Sequence, residues 1–209
     1  MVFAFFVLIL IVFCIFISTI ISSLSSSSSF GTSYEEIQKK EIKYAGNFGE
    51  KIANKVIKQA LNREDYLLNN VKLNYEGQKT ELDNLIINKY GIFIIEVKYY
   101  VGRLEGDIDD YEWIKYKDSY DDTFVKNVKN PIKQVNREVF ILSKVLKENS
   151  IYNWINGYVY FVNNNSPVDD KAVLNDVDEI IKVLHTSNRK LLSENEIKTI
   201  LAVIRNLNS

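Results

Sequence analysis

Hydrophobic and polar positions change their period several times along this chain, and each change marks an element. From Val2 to Ile21 the residues are apolar almost without a break, with Ser18 and Thr19 as the polar members. A helix of that length spans about 30 Å, the thickness of a bilayer's hydrocarbon core. Residues 1–22 are therefore expected to form one transmembrane helix. A cleaved signal peptide would carry a basic leading region, and here only Met1 precedes the apolar run. Bulky Phe13 ahead of a mid-span Cys14 argues against a lipid-modified cysteine, and a soluble core helix is rarely apolar on every side. The serine-rich stretch Ser22–Ser33 is too polar to pack, so residues 23–43 read as a tether and linker.

Beyond the linker the period becomes helical. Phe48, Ile52, Val56 and Ala60 recur at four-residue spacing, predicting a helix over Asn47–Leu61 with Asn47 as its cap. Tyr66–Leu73 alternates as a strand and ends before the turn-forming Asn74–Gly77. Thr80–Asn88 and Gly91–Tyr99 are β-rich runs joined by a short turn, which is a hairpin. Asn130-Pro131 opens a second helix, with Pro131 suited to its first position and Val135, Val139, Leu142, Val145 and Leu146 as its apolar stripe. Gly157–Asn163 is a further strand, and Ile180–Leu184 is read as a last one. Ser193 and Glu196 form a capping box for a closing helix carrying Ile197, Ile200, Leu201 and Ile204. Asp107–Val128 follows neither period. The order is α-β-β-β-α-β, an α/β class, with residues 166–209 as a C-terminal extension packed on the domain.

Composition narrows the function. All 26 basic and 27 acidic residues lie after the linker's Ser33, a near-neutral balance that speaks against strong, sequence-blind attraction to nucleic acid. The single cysteine excludes intramolecular disulfides and a cysteine-based zinc site. Lys39, Lys40 and Lys43 follow the apolar run and no basic residue precedes it, so the positive-inside rule expects a cell-membrane protein with its domain in the cytoplasm.

The hairpin holds the candidate chemistry. Strand alternation puts Ile92, Ile94, Glu96 and Lys98 on one face and Phe93, Ile95 and Val97 on the other, with the second face forming the core. If Asn88 pairs with Gly91, counting outward sets Asp83 opposite Glu96, with Cβ atoms about 5 Å apart. Facing carboxylates repel, and Mg²⁺ relieves such a pair naturally because it takes one or two carboxylates plus waters and phosphate oxygens. Lys98, one pleat along, would then serve an attacking water or a developing phosphoryl charge. Spacing alone leaves a second reading open, a surface hairpin with an Asp–Lys salt bridge, and a one-residue slip would turn Asp83 to the other face.

In this order, Gly46–Glu50 (GNFGE), Thr80–Lys98 (TELDNLIINKYGIFIIEVK), Gly102, Trp113 and Asn130–Gln134 (NPIKQ) resemble the NERD (nuclease-related) domain. That family is a branch of the PD-(D/E)xK phosphodiesterases, which include restriction endonucleases, and the likeness runs from about Tyr44 to Val162 within a domain of residues 44–165. The resemblance implies a restriction-endonuclease-like core, a mixed sheet flanked by helices. It implies Asp83 and Glu96 as ligands of Mg²⁺ or Mn²⁺, Lys98 as the catalytic lysine, Glu50 as an acidic residue assisting the metal, and Gln134 as a polar residue reaching the site. The implied partner is nucleic acid, DNA ahead of RNA, with the lipid bilayer holding residues 2–21. Glu81-Leu82-Asp83-Asn84 departs from the family's more frequent Gln-Ile-Asp-His and leaves open how the Asp is supported. Asn130 is read as a helix cap, and His185, the single histidine, as structural and outside the site. The rival class is a non-catalytic nucleic-acid or protein interaction module that keeps the fold at the membrane.

Overall fold

The computed structural model describes residues 48–118 and 123–207. The expected membrane span, its tether and the Asn47 cap lie outside the described residues. Among those described, no helix is long and apolar enough to cross a membrane.

Residues 48–60 form helix α1. Strand β1 (Tyr66–Tyr75), β2 (Gln78–Asn88) and β3 (Gly91–Lys98) follow as an antiparallel meander. Three short strands come next, β4 (Arg103–Glu105), β5 (Glu112–Asp118) and β6 (Thr123–Lys129). Helix α2 (Pro131–Glu148) leads to β7 (Ile155–Phe161) and β8 (Val173–Leu174), and α3 (Val177–His185) and α4 (Glu194–Leu207) close the chain. The main sheet has the order β1-β2-β3-β7-β8 and is mixed, because β3–β7 and β7–β8 are parallel. β4-β5-β6 make a separate antiparallel sheet inserted between β3 and α2.

Helices cover both faces of the main sheet. Ile92 and Ile94 join Val135, Leu142 and Val145 of α2 and Ile200 and Ile204 of α4 in one core. Phe93 and Ile95 join Ala53 and Ile57 of α1 and Ile180 and Leu184 of α3 in the other. The expectation of a single core face on β3 is thus corrected: the Glu96 face is buried as well, because the apolar stripe of α2 lies over it. Close approach there requires Gly157, where an added Cβ would sit 2.7 Å from a methyl of Val139.

Two elements differ from expectation. Residues 180–184, expected as a strand, are helical. Asp176 caps the segment by accepting from the Glu179 N–H at 2.9 Å, and Ile180 and Leu184, four apart, share its buried side. The buried stripe of α1 is Ala53, Ile57 and Ala60, and Phe48 is exposed, because a 3.6-residue turn drifts from an exact four-residue spacing. The irregular segment before α2 is ordered by Trp113, which is fully buried, stacks on Phe161 with ring centroids 6.1 Å apart and donates to the Asp107 carbonyl. Gly102 adopts φ +99° with the Tyr116 carbonyl where a side chain would stand, so this corner admits only glycine.

Candidate active site

The β2–β3 register is the expected one, Asn88 with Gly91 through Asn84 with Ile95, and there the ladder stops. At the next rung the Asp83 carboxylate replaces backbone pairing, its Oδ2 accepting from the Val97 N–H at 2.9 Å. The β1 side is interrupted at the same level. Asn69 pairs with Asn84 and Val71 with Leu82, but Asn70 between them has φ +55° and no partner in the β1–β2 ladder. Side chains fill the gap: Asn69 donates to Asn84 Oδ1 at 2.8 Å, and buried Asn84 donates to the Ile95 carbonyl at 3.1 Å. Asn84, the position where the family often has His, therefore ties β1 to β3 at the rung beside Asp83.

Glu96 is 2% exposed, and its Oε1 accepts from Lys98 Nζ at 2.5 Å and from Gln134 Nε2 at 2.6 Å. Its other oxygen is buried without a partner. Burial pushes the Glu96 carboxyl up to about 7; Lys98 works against this and Asp83 adds to it. Burial draws the Lys98 ammonium down, but the Glu96 carboxylate outweighs that and the net displacement is upward. Lys98 is therefore an ammonium at neutral pH.

Of the five expected site residues, four converge: Asp83, Glu96, Lys98 and Gln134. Glu50 lies in the first described turn of α1, beside Phe48, whose ring meets Tyr99 edge-on. Its carboxylate is exposed and makes no hydrogen bond or ion pair with the four among the described residues. Asn130 is the α2 cap, accepting from Ile132 N–H at 2.9 Å while its own amide donates to the carbonyls of Ile108 and Asp110. His185 pairs with Asp65 at 2.8 Å on the far side of the sheet, outside the site.

The structure adds Glu138, which sequence reasoning did not name. It is 1% exposed, its Oε1 accepts from the same Gln134 amide at 3.0 Å, and its Oε2 is buried without a partner. Burial pushes it up to about 8, with Glu96 and Asp83 adding repulsion. Its signal was in the sequence: a charged residue four after Gln134 and three after Val135, on the buried side of α2.

Among the described residues no three acidic, histidine or cysteine side chains stand close enough to cage a cation alone. Two carboxylates suffice for Mg²⁺, which keeps several waters. A buried carboxylate oxygen with no donor, next to a second carboxylate, is a place where a cation removes an existing cost.

A profile of the nuclease-related domain matches residues 45–162. The chain belongs to the NERD family. Its similarity to an uncharacterised protein of Bacillus anthracis is 28% identity over 99 residues, 45% of this chain and 47% of that protein. The chain thus spans about half the length of the curated relative it matches. No solved structure matches it. The NERD match opens just before α1 and ends just after β7, so it contains every residue of the cluster, while α3 and α4 lie beyond it.

Proposed function

We propose that this NERD protein is a membrane-anchored, divalent-metal-dependent nuclease that hydrolyses phosphodiester bonds of nucleic acid, DNA in preference to RNA, on the cytoplasmic side of the cell membrane. The observation that carries the reading is the convergence of Asp83, Glu96, Lys98 and Gln134 around a buried Glu96 oxygen that has no donor. The element order α1-β1-β2-β3-α2-β7, with β4–β6 as an insertion, is also the order expected of a restriction-endonuclease-like core.

Asp83 and Glu96 would hold Mg²⁺ or Mn²⁺, with Glu50 assisting from α1. When bound, the ion supplies Lewis-acid polarisation of the phosphate and a water of lowered pKa. The chain's own side chains do the rest. The Val97 N–H fixes the Asp83 carboxylate, and Gln134 fixes one oxygen of Glu96, whose other oxygen has no donor. Lys98, charged at neutral pH, turns an N–H toward a non-bridging phosphate oxygen as negative charge grows there. The attacking water would release one proton to solvent as its oxygen bonds to phosphorus, the opposite P–O ester bond would break, and the leaving alkoxide would take a proton from solvent.

The test is incubation of the purified chain with a mixed DNA and RNA panel in Mg²⁺, Mn²⁺ or EDTA, beside Asp83→Asn. Cleavage that needs the cation and disappears in the variant supports the reading; no cleavage with either cation sinks it. The near-neutral charge, 26 basic against 27 acidic residues, favours a second reading, a non-catalytic interaction module. In the same experiment it would give binding without cut products.

A further inference from the structure

We propose that one face of the β5–β6 hairpin is an arm that binds the phosphate backbone of single-stranded nucleic acid and leads it to the cluster, an inference that rests on the nuclease reading. The arm is rooted in the core by the rung Trp113–Val128, with Trp113 fully buried. Residues two apart share a strand face, so the next rungs on that face are Lys115–Lys126 and Lys117–Phe124. Both rungs run out beyond the core, where Lys117, Phe124 and Lys126 are exposed.

Like charges directly opposed across a ladder are destabilising, yet three lysines are grouped here. Among the described residues none of the three pairs with a carboxylate. Burial and then the neighbouring Lys117 and Lys126 draw the Lys115 ammonium down. On the opposite face Glu112 stands across from Lys129. A chain of near-neutral total charge has no general attraction for polyanions, which makes such a local excess the place where one would bind.

Direction and selectivity also follow from position. Lys115 Nζ lies 5.4 Å from the centre of the Tyr100 ring. Tyr100 is two residues past Lys98, and its phenol, pushed up by burial, sits in the fields of Lys98 and Glu96. Through Tyr100 the Lys115 end of the strip is linked to Lys98 and Glu96, so a strand lying along the lysines is led toward Lys98. Phe124, 50% exposed beside Lys117 and Lys126, supplies a stacking surface, which unpaired bases can use and paired ones cannot. An anionic membrane would also attract lysines, but a flat surface has no use for a strip linked through Tyr100 to a buried carboxylate site.

The test uses the full-length chain in nonionic detergent with EDTA, and the probes are a labelled single-stranded oligonucleotide and its duplex. Lys115→Ala/Lys117→Ala/Lys126→Ala is expected to weaken single-strand binding about tenfold or more and to lower the slope of log K against log salt by about 2. Phe124→Ala is expected to weaken single-strand binding by about tenfold and duplex binding much less. Lys117→Glu/Lys126→Glu alters only exposed positions, so its matching loss guards against a folding artefact, which the melting temperature in EDTA also reports. Undiminished binding in the folded variants overturns the arm, as does absence of any oligonucleotide binding by wild type. Lysine-dependent binding to phosphatidylglycerol vesicles that oligonucleotide does not displace overturns it in favour of lipid. Hydrolysis of bis(p-nitrophenyl) phosphate by wild type, a substrate too small to reach the arm, judges the nuclease reading separately.

Discussion

The side-chain amide of Gln134 donates to Glu96 Oε1 at 2.6 Å, and the same nitrogen lies 3.0 Å from Glu138 Oε1. One neutral amide thus stands between two buried carboxyl groups, each with a second oxygen that has no partner. This geometry makes Gln134 a positioning residue for Glu96. Gln134→Ala would leave the carboxyls without their shared donor at a cost of about 1–3 kcal/mol. The melting temperature should fall accordingly, and the cation response should persist but require a higher pH. A variant as stable as wild type, with its cation response at the original pH, would show that the amide bridge is idle.

Asp83 has two separable tasks, and two substitutions divide them. Asp83→Asn keeps an oxygen for the Val97 N–H and removes the charge that faces Glu96. The metal-free domain should be as stable as wild type or slightly more so, while Mg²⁺ should no longer raise its melting temperature. Asp83→Ala also removes the acceptor and should cost about 1 kcal/mol more, because the Val97 N–H loses its partner. Equal metal response in Asp83→Asn and wild type would contradict the assignment of Asp83 as a ligand.

Much of this site was legible because hairpin pairing is local. Once Asn88 pairs with Gly91, a short turn fixes which residue faces Glu96, and the observed ladder follows that count as far as Asn84 and Ile95. The broken rung at Asp83 was not legible, since it depends on Asn70 taking a positive φ and on the side chains of Asn69 and Asn84 substituting for the backbone. Glu138 was missed because a charged residue on a helix is read as solvent-facing unless the covering sheet is known. Residues 180–184 illustrate the opposite weakness, since a short apolar run has no period of its own and only the Asp176 cap reveals the helix.

Lys98 should be needed for turnover and not for the cation. Lys98→Ala is expected to abolish cleavage while a calorimetric titration still detects Mg²⁺ or Mn²⁺. Removing the ammonium also removes what holds the Glu96 carboxyl down, so binding in the variant should require a higher pH than in wild type. Wild-type turnover in Lys98→Ala would strip the lysine of its role.

The uncharged run Val2–Ile21 predicts that the whole protein stays with membranes through an alkaline carbonate wash. Lys39, Lys40 and Lys43 predict a cytoplasmic domain, so a reporter active only outside the cytoplasm should be silent when fused after Ser209. Recovery in the wash supernatant would remove the anchor, and a strong reporter signal would invert the topology.

Glu138 gives the sharpest pH test. Burial pushes the Glu96 carboxyl up to about 7 and the Glu138 carboxyl up to about 8 in the folded state, from an ordinary value of 4.5. Between those values the folded protein holds protons that the unfolded chain has released. Stability must therefore fall as pH rises from about 4.5 toward 8, each unit of displacement being worth about 1.4 kcal/mol. A cation that replaces those protons should bind more tightly over the same range. Glu138→Gln keeps an oxygen for the Gln134 amide and removes one titrating group together with its repulsion of Glu96. The variant should match wild type near pH 4.5 and exceed it near pH 8 by on the order of a few kcal/mol. Its cation response should survive and move to lower pH, since Glu96 loses its proton more readily without a second buried carboxyl nearby. Denaturant titrations across that pH range decide the matter. A slope identical to that of wild type would mean Glu138 does not titrate in the folded protein, and loss of the cation response would make it a ligand in place of a neighbour that tunes one.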